Sequence, residues 1–187
     1  MEIKRCDWVT NDELYIKYHD EEWGKPVYDD ETIFEFLVLE SFQAGLSWFT
    51  ILKKRENFRA AFDQFNYKKI ANYNPEKLES LMQDAGIVRN KLKILATVNN
   101  AQRFMEVQKE FGSFSKYIWG FVNHKTINNK VKSIKDVQAT TDISDALAKD
   151  LKKRGFKFLG STVMYAHMQA TGMVNDHLTT CFCYNKH

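Results

Sequence analysis

Each end of this chain carries half of a metal-ligand set, and the two halves can meet only in a fold that brings the ends together. Cys6 and His19 have 12 residues between them, His177 and Cys181 have 3, and 157 residues separate His19 from His177. Two thiolates and two imidazoles form the closed tetrahedral set that zinc takes in structural sites. The linear spacing is not that of a zinc finger. A metal held here would tie the N-terminus to the C-terminus and staple the chain without performing chemistry. Cys183 competes with Cys181 for the last position, although Cys181 has the better helical spacing to His177. The alternative is that these cysteines are small buried hydrophobes. Three cysteines is an odd count and Cys6 is isolated, which argues for a reducing compartment over a disulfide framework.

Between those ends the pattern is helical. The segment Glu31–Gln43, ETIFEFLVLESFQ, is apolar nearly all round, as expected of a helix at the centre of a bundle. Asn74 and Pro75 make an N-cap and first-turn pair, and Gly86 is a stop for the short helix they open. From Ile87 to Phe111 an apolar stripe runs through Val88, Leu92, Leu95, Val98, Ala101 and Met105. Ser144 is expected to cap a helix ending in Lys152, Lys153, Arg154 and then Gly155. A further helix from Ser161 is expected to close at Gly172. The reading is all-α, a single domain over 1–187 with two helical lobes sharing a core. No stretch approaches the ~18 apolar residues of a membrane span. The charged start Met1–Trp8 lacks a signal-peptide core, so a cytoplasmic, membrane-free protein is expected.

Three features can carry chemistry. The hairpin between Gly155 and Gly160, within about 144–172, places backbone N–H groups at a helix N-terminus, a ready phosphate site. Lys152, Lys153, Arg154 and Lys157 would add positive field there, and the net charge of +3 permits a polyanionic partner. An ordinary helix connection with a solvated basic cap is the simpler alternative. Glu40 follows Leu37-Val38-Leu39 directly, so its carboxylate is paired with an Arg or Tyr, protonated, or faces a cavity. Glu35, on the same helix, can more easily face solvent. The aromatics Trp8, Tyr15, Tyr18, Trp23 and Trp48 flank Glu40 in sequence. They are either core or a stacking surface for a planar, cationic ring. Tyr15 and Tyr18 share a helix face with His19 beside them, which would make the metal end and the pocket neighbours.

These residues resemble one family. CDWV, YHDEEWG, LESFQAGLSW, LKKREN, LMQDAGIVRNKLKI, KKRGFKFLG and the final VNDH…C are similar to the 3-methyladenine DNA glycosylase I family, from Arg5 to Cys183. The resemblance implies a helix-hairpin-helix glycosylase fold with one structural zinc on Cys6, His19, His177 and Cys181. It implies a monomer that excises N3-methyladenine from double-stranded DNA in base excision repair and releases the free base. Carried over, Glu40 falls on the base-recognising carboxylate, Tyr18 on a tyrosine that contacts the base and Trp48 on the stacking tryptophan. Trp8, Tyr15 and Trp23 match further pocket positions; Lys157, Gly160 and Ser161 of the hairpin are the expected DNA contacts. Phe42 is a departure expected to change the trim of the pocket but not its chemistry.

In the wider superfamily a lysine nucleophile often follows the hairpin's second glycine, and a catalytic aspartate stands in a Val-Asp-x-His run. Here Ser161 and Thr162 follow Gly160, and the run reads Val174-Asn175-Asp176-His177. A hydrolase without a strand-cleaving step is therefore expected. Two rivals differ in what they predict. A damage sensor would bind DNA without releasing base. A metallohydrolase would need an open metal position, which a four-ligand Cys2His2 set does not leave.

Overall fold

The computed structural model describes residues 3–186; Met1, Glu2 and His187 lie outside the described residues. In chain order the helices are α1 (Glu13–Glu21), α2 (Asp30–Phe42), α3 (Trp48–Ala61), α4 (Tyr67–Ile70), α5 (Pro75–Gln83), α6 (Lys91–Phe111) and α7 (Phe114–Gly120). After α7 come a short strand β1 (Ile127–Asn128), the hairpin helices α8 (Asp142–Lys153) and α9 (Ser161–Ala170), and β2 (Val174–Asn175). Short polar side chains start most of them. Asp12, Asp29, Ser47, Asn74, Asn90, Ser113 and Thr141 each accept a first-turn backbone N–H, which gives partners to donors a helix start leaves free.

Helix α2 is the central element. Nine of its residues, Ile33, Phe34 and Phe36–Phe42, are buried, and it packs against α3, α6, α7 and α9. Phe34 meets Phe104 edge-on at 5.1 Å between ring centroids, and Phe42 meets Phe58 the same way at 5.0 Å. Each such side chain gains roughly 1.5–3 kcal/mol on burial, so this aromatic layer dominates the core. Phe42 therefore belongs to the core and does not line the pocket described below, contrary to the expectation that it trims it.

Several local expectations change. Thr141, not Ser144, caps α8; Ser144 is the third helical residue and completes a reciprocal capping box with it. Helix α6 starts at Lys91 and not Ile87, and its buried face carries Ile94, Thr97, Ala101, Phe104 and Val107. Leu92 and Leu95 of the expected stripe are 66% and 42% exposed. The chain is not purely helical either. β1 and β2 pair in parallel, Ile127 with Val174 and Asn128 with Asn175.

The strand pair lies next to the junction of the termini. The Phe182 N–H donates to the Lys4 carbonyl at 2.9 Å, and the Val27 N–H to the Thr171 carbonyl at 3.0 Å. Gly172, just beyond α9, has φ +72°, and a Cβ there would stand 2.5 Å from the Lys25 carbonyl carbon. Only glycine permits both that conformation and that approach. No helix among the described residues is long and apolar enough to cross a membrane.

Candidate active site and metal centre

The four terminal ligands meet. Sγ of Cys6 and Cys181 and ring nitrogens of His19 and His177 lie within 4.8 Å of one another, and all four residues are buried. Cys6 Sγ is 3.5 Å from His177 Nδ1, and Cys181 Sγ is 3.5 Å from His19 Nε2 and 3.7 Å from His177 Nδ1. The edge between nitrogen and sulfur in a tetrahedral site is about 3.6 Å from ordinary bond lengths. The outer partners fit as well. His19 Nδ1 is 2.7 Å from Asp20, which Arg5 holds in turn, and His177 Nε2 is 3.1 Å from the Trp23 carbonyl. Both bonds put the ring proton on the outer nitrogen and turn the bare one inward, as a ligand requires.

Backbone N–H groups of Leu178 and Cys183 point at the Cys6 and Cys181 sulfurs at 3.4 Å. The neighbouring Cys6 thiol pushes Cys181 well below the ordinary thiol value, while the same contact pushes Cys6 up. Burial raises Cys183 to about 11 and keeps it a thiol. Cys183 lies outside the four-ligand group, near His19 and Asp20. His177 and Cys181 sit in turns after β2, so helical spacing is not what unites them.

Beside this centre is a cavity of about 280 Å³, just under the usual range for small-ligand pockets. Trp8, Tyr15, Tyr18, Trp23, Trp48 and Glu40 all line it, as does Cys6 of the Cys/His cluster. Trp8 touches both groups, with its ring 5.0 Å from Tyr15 and 5.2 Å from His19. Trp48 lies 5.5 Å from Tyr18 and stacks over Phe36 at 6.3 Å. Its Nε1 is buried without a hydrogen-bond partner among the described residues, a donor left for something in the cavity.

Glu40 is 3% exposed, and its partner is neither Arg nor Tyr. His167 Nδ1 on α9 lies 2.9 Å from Glu40 Oε2. Burial raises the Glu40 carboxyl above its ordinary range, against the opposing pull of His167. Tyr18 is raised well above the usual phenol range, first by burial and then by Glu40, so it is a hydroxyl donor. A second carboxylate, Asp176, stands in the same wall and accepts from Tyr165 at 2.6 Å, Asn129 at 2.7 Å and Gln169 at 2.8 Å. Glu35 does not face solvent. It pairs with Arg55 at 2.5 Å and Arg59 at 2.8 Å, and Arg55 also holds Glu22.

The hairpin joins α8 to α9. Asn100 on α6 clamps it, accepting from the Lys157 N–H and donating to the Lys157 carbonyl, each at 2.9 Å. Gly160 is the N-cap of α9 and supplies no side-chain cap, so the first N–H groups of α9 lack a side-chain acceptor. Ser161 spends its hydroxyl on Asp145 and on Ser144. Arg154 is taken out of the basic cap by Glu110 and Asp150, both at 2.7 Å. Lys152, Lys153 and Lys157 remain exposed.

His167, Asp176, Gln43 and Gln169 were missed by sequence reasoning. Asp176 stands beside His177 in the sequence, but nothing local marks it as part of a cavity wall. His167 lies in the middle of an apolar helix, and no motif marks it.

The model of the methyladenine glycosylase family matches residues 8–184. DNA-3-methyladenine glycosylase 1 of Escherichia coli strain K12 is 48% identical over 182 residues, 97% of each chain. DNA-3-methyladenine glycosylase of Haemophilus influenzae is 49% identical over 179 residues, 96% of this chain and 97% of its own. A variant of 3-methyladenine DNA glycosylase I in complex with 3-methyladenine superposes with a TM-score of 0.94 at 39% identity, covering 98% of both chains.

Proposed function

This chain belongs to the methyladenine glycosylase family, and from that premise we propose how its residues excise N3-methyladenine from alkylated DNA. The observation that carries the reading is the aromatic cavity with the buried Glu40 carboxylate in its wall. The target nucleotide must leave the duplex to reach it, at a cost of a few kcal/mol that damage lowers. Methylation at N3 leaves the base positively charged. Aromatic faces and the carboxylates of Glu40 and Asp176 favour such a ring over neutral adenine.

Glu40 accepts from the exocyclic amine of the base. Guanine would present a carbonyl there, and two facing acceptors would be left unpaired. Tyr18 and the Trp48 indole N–H are the donors for the remaining acceptors on the ring. In the chemical step the bond from C1′ to the base breaks and its electron pair leaves with the base. The cationic base so departs neutral and needs no acid. Water adds to C1′ and gives its proton to solvent. Positioning and charge stabilisation in a dry site supply the acceleration.

The hairpin holds phosphates in this reading, through the uncapped N–H groups of α9 from Gly160 onward and the charges of Lys152 and Lys157. Ser161 contributes through its backbone, since its hydroxyl is occupied. No lysine follows Gly160, and Asn175 is committed to the Tyr184 carbonyl at 3.0 Å and the His177 N–H at 3.1 Å. We therefore expect hydrolysis without strand cleavage. Cys6, His19, His177 and Cys181 would hold zinc, whose contribution is a cross-link between the termini. The helix-hairpin-helix assignment, the single-domain reading, the monomer and the cytoplasmic location belong to the same proposal.

The test is incubation with methylated duplex DNA, reading both free base and strand integrity. Released N3-methyladenine with intact strands is expected. Nicking would overturn the monofunctional reading, and DNA binding without release would leave only a sensor.

A further inference from the structure

Glu40 and His167 form a closed pair that the base-reading role alone does not require. His167 is 0% exposed and Glu40 3%. Among the described residues, Nδ1 has a hydrogen-bond partner, Glu40 Oε2 at 2.9 Å, while Nε2 is buried without one. The proton of that ring therefore sits on Nδ1 in either charge state and is donated to Oε2. Oε2 is thereby committed, and Oε1 is left as the oxygen able to face the cavity.

The backbone that carries the ring is anchored at the end of α9. The His167 carbonyl accepts from the Thr171 hydroxyl at 2.7 Å and the Thr171 N–H at 3.0 Å. Six residues separate Gly160, the hairpin's last glycine, from His167 on the same helix. One rigid element thus carries both the phosphate grip and the group that orients the base reader.

We infer that His167 is a positioning residue of the base pocket, which fixes the Glu40 carboxylate through Oε2 and reserves Oε1 for the exocyclic amine of the base. The inference rests on the reading of Glu40 given above. Its consequence is a pH dependence. Burial disfavours the charged carboxylate and His167 opposes that effect, so removing the imidazole donor drives Glu40 toward protonation at a higher pH. A protonated carboxyl is a poorer acceptor, and excision should fall with it.

Other charged groups around α2 are accounted for. Tyr18 faces Glu40 from α1 as a neutral hydroxyl, and Asp176 stands in the cavity wall held by three donors. Arg55 on α3 is neutralised by Glu22 and Glu35. Lys93 on α6 donates to the Phe42 carbonyl at 3.3 Å, and Tyr117 on α7 donates to Asp150. None of these gives Glu40 a hydrogen bond.

The experiment is the pH profile of single-turnover base release for the wild type, His167→Phe, His167→Asn and Glu40→Gln on methylated duplex DNA. Phenylalanine fills the space without a donor, and asparagine restores an N–H near Nδ1 without titrating. The acid limb of His167→Phe should move up by about one pH unit or more, a roughly tenfold loss below the limb. His167→Asn should return most of the rate. Superimposed profiles for wild type and His167→Phe, with Glu40→Gln inactive, would overturn the role of His167 alone. Equal losses in both His167 variants at every pH would make it a packing residue. Full activity in Glu40→Gln would overturn the Glu40 reading itself. Should His167→Phe fold poorly, isotope-edited infrared spectra of His167→Asn and wild type still report the protonation of Glu40; a carboxyl band already dominant at neutral pH in wild type would contradict the inference.

Discussion

Gly24 faces the imidazole of His177 so closely that a Cβ on it would stand 2.8 Å from Nε2. The contact lies beside the 3.1 Å approach of Nε2 to the Trp23 carbonyl, which orients the ring. Gly24 also has φ +80°, so an L side chain there meets strain as well as collision. Gly24→Ala should destabilise the protein by roughly 2 kcal/mol or more and weaken metal binding, by displacing the His177 ring. Thermal melts with and without added zinc test this. An unchanged melt would mean the ring yields freely.

Metal removal should act on stability first. Chelation, or Cys181→Ala, should lower the melting temperature on the order of 10 °C, because binding to the folded site is linked to folding. Below the new melting point the rate of base release should remain within a few-fold of wild type. Loss of catalysis from a protein that melts normally would favour the metallohydrolase rival.

At the hairpin, Lys152→Ala and Lys157→Ala should each weaken binding to DNA of any sequence and reduce the salt slope by about one. Ser161→Ala should leave that slope alone, since Asp145 and Ser144 already take the hydroxyl. Affinity measured across a salt series separates the cases. A slope change in Ser161→Ala would show that the hydroxyl turns to phosphate on binding.

Asp150 joins α8 to α6 and α7 through Arg154, which also holds Glu110, and through Tyr117. Burial raises its carboxyl, but the hydrogen bonds from Arg154 and Tyr117 outweigh that and hold it below its ordinary value. A group lowered on folding stabilises above its unfolded pKa, and that contribution is lost as pH falls through the folded one. Stability should thus decline on acidification from about pH 4 downward. Asp150→Asn should be less stable at neutral pH and show a shallower acid decline. Parallel melting curves from pH 7 to pH 3 would count against it.

Much of this fold was readable where local chemistry acts alone. Asn74-Pro75 opens a helix, Gly155 closes one with φ +89°, and the all-round apolar α2 had to be central. The phase of α6 was not readable. Its apolar residues fit two overlapping stripes, and packing against α4, α5 and α7 selected Ile94 and Phe104 over Leu92 and Leu95. The buried Cys/His cluster was legible because its residue types are rare and specific together. His167 was not, because its meaning depends on a carboxylate 127 positions away. Asp176 and Glu35 share that limit. A carboxylate's partners are set by tertiary contact, and sequence places it only on a face.

The central claim is that Glu40 and the aromatic wall read a flipped, cationic base. Its most direct measurement is single-turnover release of N3-methyladenine from duplex DNA by wild type, Glu40→Gln and Trp48→Ala, with DNA affinity measured in parallel. The account predicts that both variants bind DNA within a few-fold of wild type yet release base at least about tenfold more slowly, a loss of about 1.4 kcal/mol in transition-state stabilisation. Wild-type release rates in both variants, with the fold intact, would contradict it.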